Sequence, residues 1–215
     1  MRKLLSIAIC FTAALFAQSY KIVGPENPKP YERTAMEELK EYLGKRIDGT
    51  LTIGGVSNVT FVVGDSDLAK ANGLLSTKIP EEKWVIKSFG DKVLLNGGGT
   101  RGALYATYHF LEDFCDIHWW SDIEEYVPKA SSLTLPKLDK SGQPAFIYRD
   151  IFRTDKMKDS PKTAIRNRLN RNGDQPIPTR FGGRLNTATH TTATHSINMF
   201  LPTSTWNRIQ SISRL

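Results

Sequence analysis

Two extended, apolar runs at residues 83–89 and 92–96 flank Gly90-Asp91, and Gly97-Gly98-Gly99 follows at once. Two such runs joined by a two-residue loop containing glycine read as an antiparallel β-hairpin. The second strand must then turn sharply into the helical pattern of residues 101–114, where Leu104, Tyr108 and Leu111 recur on one face. Thr100 stands where an N-cap belongs. A hairpin that feeds directly into an amphipathic helix needs a sheet for that helix to cover. An all-helical bundle is excluded, and the 16 Gly and 11 Pro of the 215 residues argue the same way.

Residues 31–43 supply a second long helix. Ala35, Met36, Leu39, Tyr42 and Leu43 share one face, and Glu37, Glu38, Lys40 and Glu41 the other. Gly44 is the expected stop, with Lys45 and Arg46 at the negative helix end. Strands are expected at residues 20–23 (an edge), 51–53 and 59–63, a short helix at 68–74, and a short aromatic strand at 118–120. Val127-Pro128 and residues 133–136 are extended, because proline biases its predecessor away from helix. The fold class is therefore α+β: an α/β sandwich with a mixed sheet and two main helices, over residues 20–140. Gly142 to Pro144 marks a boundary, residues 146–152 alternate like a new strand, and beyond Arg153 the pattern fades; stranded pieces of a sheet cannot close it, so residues 153–215 are expected to be mostly disordered.

The N-terminus has Arg2 and Lys3, an uncharged apolar run over residues 4–16, and small residues at Ala17 and Ser19. That three-part pattern predicts a secretory signal peptide at residues 1–19, cut before Tyr20. An N-terminal core helix or an uncleaved anchor is the alternative, although the run is short for a span of roughly 20 residues. The expected location is secreted or periplasmic, with no stable membrane anchor after cleavage. Cys10 would leave with the signal, and Cys115 would be a buried small hydrophobe.

The net charge of +7 is unevenly placed: residues 1–152 carry −1 and residues 153–215 carry +8. Any nucleic-acid contact would fall to Arg166, Arg168 and Arg171. The export signal and the lack of an RNA-binding signature argue against it, so no nucleic-acid partner is expected. Residues 97–102 match G-x-G-x-x-G between a strand and a helix, with Asp122 about twenty positions on. A dinucleotide site needs a parallel βαβ unit, however, and the strand here belongs to a hairpin. The glycines instead read as a tight strand-to-helix turn, and no cofactor is expected.

At this loop the chain becomes recognisable. Residues 94–129, LLNGGGTRGALYATYHFLEDFCDIHWWSDIEEYVPK, carry Gly98, Gly99, Gly102, Tyr105 and Ala106, then Trp119 and Trp120, then Val127-Pro128. Residues 133–152, LTLPKLDKSGQPAFIYRDIF, follow with Pro144, Phe146, Tyr148, Arg149 and Asp150. With ERTAMEELKEYLGKRIDG at 32–49 and FVVGDSD at 61–67, this order resembles the N-terminal region of alpha-glucuronidase-like glycoside hydrolases, over roughly residues 20–200. Beta-hexosaminidases carry a similar accessory domain before their barrel. The resemblance implies a non-catalytic accessory sandwich at residues 20–140, a linker and the start of a catalytic (β/α)8 barrel at 141–215, and a polysaccharide or oligosaccharide partner.

It also implies a deficit. A full barrel takes about 250 residues, and 70 remain from Phe146 onward. Residues 203–215 depart from the expected pattern, as a frameshift or early stop near Pro202 would produce. The chain is expected to be an inactive fragment without catalytic residues. Asp155, Asp159 and Asp174 lie in no patterned strand, and the Glu112-Asp113 and Glu124-Glu125 pairs read as solvated surface. Arg149 and Asp150 are substrate-binding candidates at the end of the first barrel strand, unless Asp150 simply pairs with Arg149. The resemblance suggests that His190 and His195 are substrate-pocket histidines, with a structureless loop as the alternative; two histidines without a carboxylate or cysteine make a weak metal site, and no metal is expected. Trp119 and Trp120 are candidates for stacking on sugar rings, with His118 packed at a domain junction. The alternative function is a stand-alone secreted carbohydrate-binding or interaction module.

Overall fold

Hydrophobic alternation builds the sheet. In the computed structural model, which describes residues 19–47, 51–53, 59–150, 160–170 and 176–183, the strands β1 (Tyr20–Val23), β2 (Leu51–Ile53), β3 (Val59–Val63), β4 (Trp84–Phe89), β5 (Lys92–Gly97) and β8 (Asp139–Gly142) form one mixed sheet in the order β2-β1-β3-β5-β4-β8. The first four in that order are parallel to one another, while β4 runs antiparallel to both its neighbours. A separate two-stranded ribbon joins β6 (His118–Trp119) to β7 (Glu125–Tyr126).

The period of two decides which helix covers which face. Tyr20, Ile22, Phe61, Val63, Ile86, Val93 and Leu95 are buried in the main core, under α1 (Pro30–Arg46) and α3 (Gly102–Cys115). Val62 and Leu94, one residue out of phase, face the other side, where the five-residue α2 (Asp67–Ala71) and Leu74 cover them. In α1, Ala35, Leu39, Tyr42 and Leu43 are buried, as their spacing predicts. Glu32 sits in its first turn and accepts from the Lys29 and Asp65 backbone N–H groups, both at 2.8 Å. The helix runs through Gly44 to Arg46, because the space around Gly44 is open and nothing there forces a stop. Asp116 ends α3 in the left-handed region at φ 54. Cys115 is buried at that end, and burial pushes its thiol up to about 12. Among the described residues, no helix is long and apolar enough to cross a membrane.

Three expectations change. Strand β1 is not an edge: α1 carries the chain away from it, so β2 and β3 pair with its two sides. Residues 146–150 form no strand, and Phe146, Ile147 and Tyr148 are exposed. Part of the region beyond Arg153 is ordered, as α4 (Pro161–Arg166) and a 3-10 turn (Thr179–Phe181). Ile165, Ile177 and Phe181 join the main core, although each is too isolated in sequence to register as a pattern. Strand β8 runs across the expected division at residue 140. His190, His195, residues 1–18 and the expected strand ends at 151–152 lie outside the described residues.

Candidate carbohydrate-contact site

The β6–β7 ribbon pairs His118 with Tyr126 and Trp119 with Glu125. Alternation sends these two pairs to opposite sides. Trp119 points inward and is 5% exposed. It meets Tyr42 edge-on at 5.1 Å and Tyr108 at 5.6 Å, and the Arg166 guanidinium lies 5.0 Å over its ring. The expected tryptophan pair is thus divided, with Trp119 spent on the core. Trp120 is 62% exposed and stacks with Tyr126 at 6.4 Å, and Tyr126 stacks with His118 at 6.2 Å. Ile123, at the tip of the turn, is 94% exposed. Tyr126 and His118 escaped the sequence reading as members of an outer face; the signal was the ribbon's register.

Behind the ribbon lies an open groove of about 590 Å³, lined by Tyr42, Lys45, Asp122, Glu125, Lys162 and Arg166 among others. Tyr42 donates its hydroxyl to Glu125 at 2.6 Å, and Lys45 Nζ reaches the same carboxylate at 2.8 Å. Burial and then Glu125 push the Tyr42 phenol up to about 12. Asp122 accepts from the Ser160 N–H at 2.8 Å and hydroxyl at 2.6 Å, and from the Thr163 hydroxyl. The buried Glu38 accepts from Arg166 Nη2 at 2.8 Å and Nε at 3.1 Å, and pairs with Lys162 at 3.0 Å. Burial raises the pKa values of Glu41, Asp122 and Glu125, but their hydrogen bonds and cations outweigh it, and all three lie below the usual carboxylate range. Each is an ionised acceptor at neutral pH, so none can act as a proton donor. Arg166 and Arg168, two of the three candidate phosphate contacts, are paired with Glu38 and Glu112.

A second polar cluster joins distant parts of the chain. Glu82, at φ 59, receives Arg101 at 3.3 Å, Arg149 at 2.7 Å and Asn170 at 3.2 Å. Arg149 also reaches the Tyr105 hydroxyl at 2.9 Å and the Arg168 carbonyl at 2.6 Å. Its backbone N–H donates to Asn170 at 3.0 Å. Its guanidinium is therefore engaged by protein groups, not presented to a groove. Asp150 accepts from the Tyr148 hydroxyl at 3.3 Å. Sequence reasoning missed Glu82, Arg101 and Asn170, and had no means to find them.

The glycine loop is packed against protein. Gly98 abuts the Pro80 and Ile79 carbonyls, Gly97 abuts Gly102, and Gly99 abuts the Glu81 carboxylate. Thr100 does not cap α3; its hydroxyl donates to the Gly182 carbonyl at 2.8 Å, and the N-cap is Arg101. The G-x-G-x-x-G run is thus a close-packed strand-to-helix turn in which an added Cβ would meet protein at Gly97, Gly98, Gly99 and Gly102.

No protein-family model and no curated protein matches the chain. Among solved structures it is similar to one described as a novel family GH115 4-O-methyl-alpha-glucuronidase, BtGH115A, with specificity for decorated arabinogalactans. The TM-score is 0.48 at 19% identity, over 70% of this chain and 23% of that one. A second is described as a GH138 enzyme targeting pectin rhamnogalacturonan II, with a TM-score of 0.40 and 14% identity over 61% of this chain and 16% of that one. This chain thus spans less than a quarter of the length of either glycoside hydrolase.

Proposed function

We propose that this chain is the exported, non-catalytic N-terminal module of a polysaccharide-degrading glycoside hydrolase of the alpha-glucuronidase type. The observation that carries it is one continuous path. The glycine crossing opens α3, the aromatic β6 follows, Val127-Pro128 leads away, and β8 returns to the sheet edge before Arg149 ties the linker down. The order matches the motif order that resembles those enzymes. The three groove carboxylates Glu41, Asp122 and Glu125 support the non-catalytic role. Glycoside hydrolysis needs two facing carboxyl groups, one of them holding a proton near neutral pH. Asp122, Glu125 and Glu41 are instead held ionised by their partners. A stand-alone carbohydrate-binding module is the second reading, favoured by the exposed Trp120 and Tyr126.

Two measurements test the proposal. Purified residues 20–215, incubated with glucuronoxylan and arabinogalactan oligosaccharides, are expected to release no uronic acid or sugar above the buffer rate. Sustained, enzyme-proportional release overturns the non-catalytic assignment. Export is tested by expressing the full chain in a secreting host and sequencing the N-terminus of the released protein, which is expected to begin at Tyr20. A product found only in the cytoplasm with Met1 intact overturns export.

A further inference from the structure

Large exposed apolar side chains fall into two groups among the described residues: Trp120, Ile123 and Tyr126 on the β6–β7 ribbon, and Phe146, Ile147 and Tyr148 in the linker. The ribbon group differs in being built as a surface. Trp120, Tyr126 and His118 form a continuous series of near-parallel rings, with interplanar angles of 28° and 18°. The backbone beneath them is fixed on both sides of the turn, with Trp120 and Ser121 N–H both donating to the Glu124 carbonyl at 3.0 and 3.3 Å. The inner side of the same ribbon is held by Trp119 in the core and by Glu125 on Tyr42 and Lys45. His118 Nε2 lies 2.8 Å from the Asp116 carboxylate, which fixes the imidazole. Rings held this way lose little further freedom on binding.

Such rings present flat apolar faces with polar edges, the chemistry that accepts the C–H face of a pyranose while meeting its hydroxyls. Charge narrows the partner. Residues 102–128 contain no Lys or Arg; the Lys45, Lys162 and Arg166 cations behind the ribbon are paired with Glu125 and Glu38, and Asp116, Asp122 and Glu124 are exposed around it. A polyuronate, a sulfated glycan or a nucleic acid would be repelled by that rim. A second copy of this chain would need about 800 Å² from each partner for a standard interface, more than three side chains provide.

We propose that the Trp120–Tyr126–His118 face is a binding platform for a neutral polysaccharide. The class of partner rests on the carbohydrate-active role proposed above; the neutrality rests on the acidic rim. The test is affinity electrophoresis of the full chain through gels containing neutral glucomannan, neutral arabinoxylan or polygalacturonate, with melting curves for every variant. The wild-type chain is expected to be retarded by a neutral glycan and not by polygalacturonate. Trp120→Ala and Tyr126→Ala should each weaken binding about tenfold, the loss of one ring's stacking, without shifting the melting temperature, and Trp120→Phe should recover part of it. Neutral-glycan retardation that survives both alanine variants overturns the platform while leaving the carbohydrate-active role standing. Equal or stronger binding of polygalacturonate overturns it too, as does a Trp120-dependent dimer in sedimentation with no glycan effect. A wild-type chain retarded by none of the three gels overturns the platform alone, since the hydrolase-module proposal stands on the release and export assays.

Discussion

Gly98→Ala is expected to unfold the sandwich or to destabilise it more than any other single change considered. A Cβ at this position would lie 1.8 Å from the Pro80 carbonyl oxygen and 2.5 Å from the Ile79 carbonyl oxygen. Both are backbone atoms, so no side-chain rotation relieves the clash. The backbone is also laced in place: Gly98 N–H donates to the Lys83 carbonyl at 2.8 Å, and its own carbonyl accepts from Glu82 and Gly102 at 3.2 and 3.1 Å. Moving the strand aside breaks the start of both β4 and α3. Overpacking in a core usually costs about 1–3 kcal/mol and occasionally more; with two backbone carbonyls inside contact distance and no side chain to give way, the cost here lies beyond the upper end of that range, a large share of a total domain stability of about 5–15 kcal/mol. The expected result is insoluble protein or a melting temperature lower by roughly 10 °C or more. Gly44→Ala is the control. Nothing lies within 4 Å of its added Cβ, and it sits inside α1. It should stabilise the chain by up to about 1 kcal/mol through helix propensity. Equal melting curves for Gly98→Ala and wild type would show that the crossing has slack.

Glu82→Gln should be the second-largest loss. The Arg101 side chain is 2% exposed and that of Arg149 14%, and Glu82 is the carboxylate they share. The amide keeps the shape and removes the charge, leaving two guanidinium groups without it. Stranding a buried charge costs about 3–5 kcal/mol. The urea midpoint should fall accordingly. Trypsin should then cut first after Arg166 or Arg168, because Asn170 and the Arg149–Arg168 contact lose their anchor. Replacing Arg101 by Met in the same chain should recover part of the loss, since one stranded charge goes with it. An unchanged midpoint for the single variant would mean that solvent reaches the cluster.

Periodic elements were legible in the residues. The α1 stripe, the β4–β5 hairpin with its loop at Gly90 (φ 63), and the α3 helix after the glycines all follow from spacing and turn chemistry. Placement across the sheet was not legible, because which side of β1 receives β2 and β3 depends on how α1 packs. The Glu82 cluster joins residues 67 and 88 positions apart, beyond any local pattern. The Trp119–Trp120 pair was legible only in part. Adjacent residues of a strand face opposite ways, so one indole had to go inward, but the Tyr42 and Tyr108 rings that receive Trp119 lie in other elements.

Strand β8 is four residues long, Asp139, Lys140, Ser141 and Gly142, with no apolar side chain. It is held by its ladder to β4, by the Lys87–Asp139 pair at 3.0 Å, and by Gly142 lying flat against the Trp84 indole. Its hydrophilic backbone ribbon occupies the sheet margin that Trp84, Val85 and Ile86 would otherwise leave open to a neighbouring molecule. A recombinant version trimmed at Leu138 would therefore open the β4 backbone edge at Trp84, Val85 and Ile86 to pairing with another chain. The practical cut for an autonomous version of this sandwich falls beyond Gly183, because Ile165, Ile177 and Phe181 belong to its core and Arg166 and Asn170 partner the buried Glu38 and Glu82.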